Sequence, residues 1–203
     1  MQKIGIDARI LFKENPSPHT RLFQCLLQEN YLSHYYFQFF LYTNSTNNYK
    51  PYYLDADNVF VRRIKSNSYS EFWWLNRDLA KAMQKDGINL FLSPYYKFPI
   101  FSLISSFAMI HDLAFFMNPK GLIAPRYQSI VSRASLYVRI FVFCRLAAKI
   151  ITVSHYSSKA IQKILKVAPS KIEVCFNGVF PVIDSNFDYD LLNYSNSQTN
   201  KVH

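Results

Sequence analysis

Short apolar runs that end on polar residues recur along the whole chain, separated by loops or by helical patterns. Ile4-Gly5-Ile6 ends at Asp7-Ala8-Arg9, Tyr35 to Thr43 at a polar Asn/Ser/Thr loop, and Ile88 to Leu92 at Ser93-Pro94-Tyr95-Tyr96. Phe107 to Ile110 ends at His111-Asp112, Ile150 to Val153 at Ser154-His155, and Ile172 to Phe176 at Asn177-Gly178, while Asn58 to Ile64 alternates like one more strand. Between these runs, Leu22, Phe23, Leu26 and Leu27 recur at helical spacing. Over Ser70 to Lys85, Phe72, Leu75, Leu79 and Met83 fall on one stripe, with Gly87 where a C-cap would sit. Arg126 to Lys149 and Ser157 to Leu165 complete the helical set. Strands alternating with helices predict an α/β domain: about seven parallel strands, right-handed crossovers and helices on both faces, doubly wound. That domain spans 1–180. From Pro181 the composition turns to Asn, Ser, Asp and Tyr without an apolar period, so 181–203 reads as a polar tail or linker stump.

Composition narrows the classes. Half of the residues are hydrophobic and 18% are charged, which supports a packed core and excludes a disordered chain. The net charge is +10, and Asp184, Asp188 and Asp190 against Lys201 leave the last segment at −2, so the preceding 180 residues carry +12. Such an excess suits nucleic acid, an anionic membrane face or phosphorylated ligands, or is a basic surface with no specific partner. Arg126, Arg133, Arg139 and Arg145 do not share one helix face, which argues against a nucleic-acid stripe. Arg126 and Arg133 do align, leaving a phosphate-facing or membrane-facing option. The longest charge-free apolar stretch, Phe98 to His111, is shorter than the roughly 20 residues of a spanning helix. Asp7 and Arg9 interrupt the amino terminus before a signal-peptide core could form. The expected location is cytoplasmic, with peripheral attachment to the inner membrane face as an option. Cys25, Cys144 and Cys175 are widely spaced and lack a CxxC pattern, so buried thiols are expected rather than disulfides, and no metal site is expected.

In an open parallel sheet, ligands bind beyond the carboxyl ends of the strands. Here those ends carry Asp7 and Arg9, Asn44, Ser93 with Tyr95, His111 with Asp112, Ser154 with His155, and Asn177. His111-Asp112 is the sharpest pair. A histidine there can donate to a sugar hydroxyl or a phosphate oxygen while the adjacent carboxylate orients it, or it can be a structural histidine capping a strand end. Ser154 is either an N-cap or a ligand contact. No GxSxG, HExxH or dinucleotide fingerprint is present, and four glycines in 203 residues disfavour a glycine-rich phosphate loop.

Several strand ends together resemble the amino-terminal half of family 4 glycosyltransferases of the GT-B fold. They are Lys3-Ile4-Gly5-Ile6-Asp7-Ala8-Arg9, Ser93-Pro94-Tyr95-Tyr96 with Pro99, and Ile110-His111-Asp112-Leu113-Ala114-Phe115 with Pro119. Ile151-Thr152-Val153-Ser154 with Tyr156-Ser157, and Pro169, Lys171-Ile172 and Asn177-Gly178-Val179, complete the set in order from Lys3 to Val179. The resemblance implies a Rossmann-like domain on the acceptor side of a retaining enzyme that uses a nucleotide-sugar donor and a glycan or lipid-linked acceptor, with no separate cofactor. It implies that His111 contacts the donor sugar as the catalytic-site residue, and that Asp7, Arg9, Arg21, Tyr95, Asp112, Ser154 and Asn177 line the sugar-binding cleft. The family's carboxy-terminal domain, which holds most of the nucleotide-sugar site, has no counterpart after Val179. A separately encoded carboxy-terminal half would be its partner, and catalysis by the chain alone is not expected. In the first loop, where the family often has GxGRY, Pro18-His19-Thr20-Arg21-Leu22 keeps the arginine and loses both glycines. A non-enzymatic remnant or scaffold that binds a glycan, a lipid head group or a partner protein is the competing expectation.

Overall fold

The structure, a computed structural model, describes residues 1–12, 36–45, 56–65, 70–113, 116 and 130–176. Seven strands form one sheet: β1 (Gln2–Asp7), β2 (Phe37–Thr43), β3 (Val59–Arg63), β4 (Leu90–Ser93), β5 (Ser105–Met109), β6 (Lys149–Thr152) and β7 (Ile172–Val174). Every neighbouring pair is parallel, and the order is β3-β2-β1-β4-β5-β6-β7. The chain therefore winds outward from β1 in one direction and from β4 in the other, and the order reverses between β1 and β4. This is the expected α/β architecture.

The strands form because alternate side chains serve two apolar layers. Gly5, Phe40, Tyr42, Phe91, Ala108 and Ile150 face one side; Ile4, Ile6, Leu41, Leu92, Met109 and Ile151 face the other. The first layer is the larger and receives side chains from all of the described α-helices. Among the described residues, the second is closed by Ile10, Leu11 and Phe12, just beyond β1. Gly5 lies where the rings of Tyr42 and Phe91 converge: a Cβ there would stand 3.1 Å from Tyr42 and 3.2 Å from Phe91 and Ile88. This glycine makes room for packing on a central strand.

Helix α1 runs from Glu71 to Asp86, but not as a uniform helix. An α-turn over Glu71–Trp73 passes into a π-helical stretch, Trp74–Leu79, and returns to α over Ala80–Asp86. The expected stripe of Phe72, Leu75, Leu79 and Met83 is corrected accordingly. Leu75, Leu79 and Met83 are buried, but Phe72 is exposed and Trp74 is buried instead. The wider π turn shifts the helical phase, so spacing extrapolated back from Leu75 at 3.6 residues per turn misplaces the first turn. Gly87, at φ +70°, ends the helix as expected. Its N–H reaches the Gln84 carbonyl and that of Ile88 reaches Met83, with Met83 and Ile88 packed in the same core.

Helix α2 (Ile130–Leu146) is shorter at its carboxyl end than expected, because Lys149 opens β6. Helix α3 (His155–Leu165) begins two residues earlier than expected, and Ser154 is its N-cap, one of the two roles expected of it. Cys144 is a buried thiol whose pKa burial pushes up to about 12, as a hydrophobic cysteine requires. Cys175 departs from that expectation and is exposed, just beyond the end of β7 and three residues past its buried Ile172. Among the described residues, no helix is long and apolar enough to cross a membrane.

Candidate functional site

The strand order reverses between β1 and β4, and in an open parallel sheet the carboxyl ends at such a reversal are where a ligand crevice is expected on topological grounds. β1 ends there in Asp7 and Arg9, and β4 in Ser93 and Tyr95, so four of the residues singled out by sequence reach one edge. Asp7 is buried, and its carboxylate is enclosed by its own loop. It accepts hydrogen bonds from the Arg9 backbone N–H at 3.2 Å, from Nε at 2.9 Å and from Nη2 at 2.7 Å. The guanidinium lies over the ring of Trp74, 4.4 Å from its centroid. Its remaining terminal nitrogen, Nη1, reaches Glu71 Oε1 at 3.3 Å. Lys97 Nζ pairs with the other Glu71 oxygen.

Two carboxylates and two cations thus form one chain, Asp7–Arg9–Glu71–Lys97, with no net charge. Burial opposes the charge on Arg9, but Asp7 and then Glu71 outweigh it and hold its pKa above the ordinary value. Burial likewise opposes ionisation of Glu71, but Lys97 and then Arg9 outweigh it and hold the carboxyl below its usual range. A neutral, internally satisfied cluster is a poor cradle for phosphate; it fixes the loops after β1 and β4 relative to α1. The Ser93 hydroxyl donates to the Lys97 carbonyl at 2.6 Å and accepts from the Tyr95 N–H at 3.3 Å, which shapes the turn carrying both residues. Burial, followed by the negative field of Asp7, raises the Tyr95 phenol above its ordinary value and keeps it a neutral hydroxyl.

The other expected residues lie further along the same edge. His111 follows β5, two strand spacings of about 4.8 Å each from β1. It is half-buried with Nε2 shielded from solvent, whereas Asp112 beside it is exposed. Ser154 follows β6, and its hydroxyl serves α3: Oγ accepts from the Ser157 N–H at 3.0 Å and contacts Ser157 Oγ at 3.0 Å. Of its two readings, the cap is the one the geometry displays. Arg21 and Asn177 lie outside the described residues, as does the Pro18–Thr20 loop.

Sequence reasoning missed Glu71, Trp74 and Lys97. The signal was present for Glu71: in a βα unit the first turn of a helix stands on the same edge as the strand ends. Lys97 sits three residues past Ser93-Pro94 and is brought back by the Ser93 hydroxyl, a fold-back that no spacing rule encodes.

No family model and no curated protein sequence matches this chain. Solved structures do. It is similar to sucrose-phosphate synthase from Thermosynechococcus elongatus, with a TM-score of 0.61 and 13% identity over 95% of this chain and 53% of that one. It is similar to Anabaena HepE in complex with UDP and glucose, with a TM-score of 0.58 and 14% identity over 98% and 50%. A third is WaaG, a glycosyltransferase involved in lipopolysaccharide biosynthesis, at 0.56 and 13% over 95% and 51%. The chain thus has the fold found in GT-B glycosyltransferases and spans about half the length of these structures.

Proposed function

We propose that this chain is the acceptor-side half of a family 4-like glycosyltransferase. It would act with a second domain that supplies most of the nucleotide-sugar site, on a glycan or lipid-linked acceptor. The observation that carries the reading is the match of nearly the whole chain to half of such folds, with its polar crevice at the β1/β4 reversal. Nucleotide-sugar chemistry for the donor is supported by HepE, whose structures hold UDP, glucose and UDP-glucose. In this reading His111 touches the donor sugar and assists a retaining transfer from the edge of β5. Tyr95 offers its neutral hydroxyl to the acceptor, Asp112 contributes from beyond the end of β5, and Arg21 and Asn177 complete the proposed sugar-binding set. Asp7 and Arg9 act mainly as the clamp that holds the crevice open in one geometry, and Ser154 as the cap that positions α3.

These 203 residues span about half of the matched structures, so this reading assigns them acceptor binding without turnover. NMR titration with isotope-labelled protein tests this. Glycans should shift the signals of Tyr95, Lys97 and His111, while UDP alone should leave them in place. Signals that no glycan moves would overturn the reading.

A specific observation favours a second reading, a non-enzymatic scaffold or peripheral membrane protein. The outward face of α2 exposes Val131, Val138, Val142 and Leu146, interleaved with Arg139 and Arg145, and the helix carries no acidic residue. Apolar and cationic groups on one helix face suit an anionic bilayer. Binding to anionic vesicles that weakens as salt rises would support it, and absent or salt-insensitive binding would sink it.

A further inference from the structure

Three exposed aromatic rings stand in a row at the start of α1, immediately beside the ion-paired cluster. The Phe72 ring meets Trp73 edge-to-face at a centroid distance of 5.5 Å and Phe101 at 6.0 Å, with interplanar angles of 79° and 85°. All three are exposed, Phe101 at 70% and Trp73 at 52%. Burying these rings would ordinarily stabilise the fold, so their presentation to solvent calls for a partner.

The row is built rigidly. The Asn76 side chain, inside the π-helical stretch, accepts from the Ile100 N–H at 2.8 Å and contacts the Phe101 N–H at 3.4 Å, while its own Nδ2 donates to the Phe72 carbonyl at 3.0 Å. One side chain thus ties the segment carrying Phe101 to the turn carrying Phe72. The π-helical turn buries Trp74 under Arg9 and leaves the preceding two rings outside. Continuous with the rings is Glu71, half-exposed and paired with Lys97, so an acceptor and a donor of hydrogen bonds adjoin the apolar surface.

We infer that Phe72, Trp73 and Phe101, with Glu71 and Lys97 at their inner end, form a subsite for the more distant sugar units of an oligosaccharide acceptor. The chemistry fits a saccharide. Aromatic faces carry negative charge density and attract the C–H faces of pyranose rings. The sugar hydroxyls, which a purely apolar patch would strand, meet the Glu71 carboxylate and the Lys97 ammonium. A glycan entering the β1/β4 crevice passes this edge, because Glu71 and Lys97 link the ring row to Arg9 and the loop after β4. Preorganisation by Asn76 lowers the ordering cost of binding. The inference rests on the acceptor-side reading and extends it from a single sugar to a chain.

A glycan array probed with the labelled chain tests it, using the wild type and the Trp73→Ala, Phe101→Ala and Asn76→Leu variants. The two aromatic truncations remove exposed side chains, and circular dichroism checks that each variant keeps its fold. Wild type should bind longer oligosaccharides more tightly than the matching mono- and disaccharides. Each aromatic truncation should erase that preference, about tenfold per ring, and leave short-glycan binding unchanged. Asn76→Leu should weaken the long-glycan preference without touching a ring. A length preference that survives in Trp73→Ala and Phe101→Ala overturns the subsite while the acceptor-side reading stands. The same holds if the truncations change only the sedimentation of the protein, which would make the rings a self-association face. Absence of binding to any glycan overturns both.

Discussion

Gly5 shows how a single residue on β1 sets the packing of the centre of the molecule. Its missing side chain lets Tyr42 and Phe91 meet across the strand, and the nearest atoms to a Cβ, at 3.1 to 3.2 Å, belong to three buried side chains. Gly5→Ala should therefore cost about 1–3 kcal/mol in urea unfolding, as overpacking does; an unchanged midpoint would refute the close approach. Two positions along, Asp7 is an ionised group out of water, held by Arg9 alone among the described side chains. Arg9→Met leaves that charge uncompensated and should cost about 3–5 kcal/mol, while the double change Asp7→Leu/Arg9→Met should recover much of the loss. Glu71 adds a pH dependence of known sign. Its carboxyl titrates below the ordinary value of 4.5 in the folded protein, so its contribution is present above that value and lost as pH falls through the folded pKa. Glu71→Gln should flatten the acid limb of the stability curve, and an acid limb identical to wild type would contradict the pairing with Lys97.

At the scale of elements, the caps were the most legible features and the irregular helix the least. Gly87 marks its own cap because a left-handed residue after an apolar period is a local signal, independent of the rest of the fold. Ser154 carried the same kind of signal, and its hydroxyl now holds the first turn of α3; Ser154→Ala should cost about 1 kcal/mol of stability, measured by thermal unfolding. The π-helical stretch over Trp74–Leu79 has no comparable mark. A wider turn is chosen by tertiary demands, here the burial of Trp74 against Arg9 and the anchoring of Phe101 by Asn76, and a period count cannot see either. The site divides the same way. Asp7, Arg9, Ser93 and Tyr95 were found because strand ends share an edge. Glu71 and Lys97 were missed because charge pairs between a helix start and a loop depend on how those segments fold back.

For the whole molecule, alternation of strand and helix was enough to give seven parallel strands, since each strand end is marked by a polar residue and parallel pairing leaves few arrangements. The strand order was not legible, and it is the order that puts the reversal between β1 and β4, with His111 two strands from β1 along the same edge. The fold as a whole relates this chain to glycosyltransferase structures at 13–14% identity, over about half of their length. From that correspondence comes the central claim, that the chain binds an acceptor but needs a second half to transfer sugar. Sugar transfer from labelled nucleotide sugars to glycan acceptors, measured for these 203 residues alone and for the same residues joined to the donor-binding half of a GT-B glycosyltransferase, tests this most directly. No transfer and no donor hydrolysis are expected from these residues alone, and transfer is expected once the second half is supplied. Robust transfer by these 203 residues on their own would contradict it.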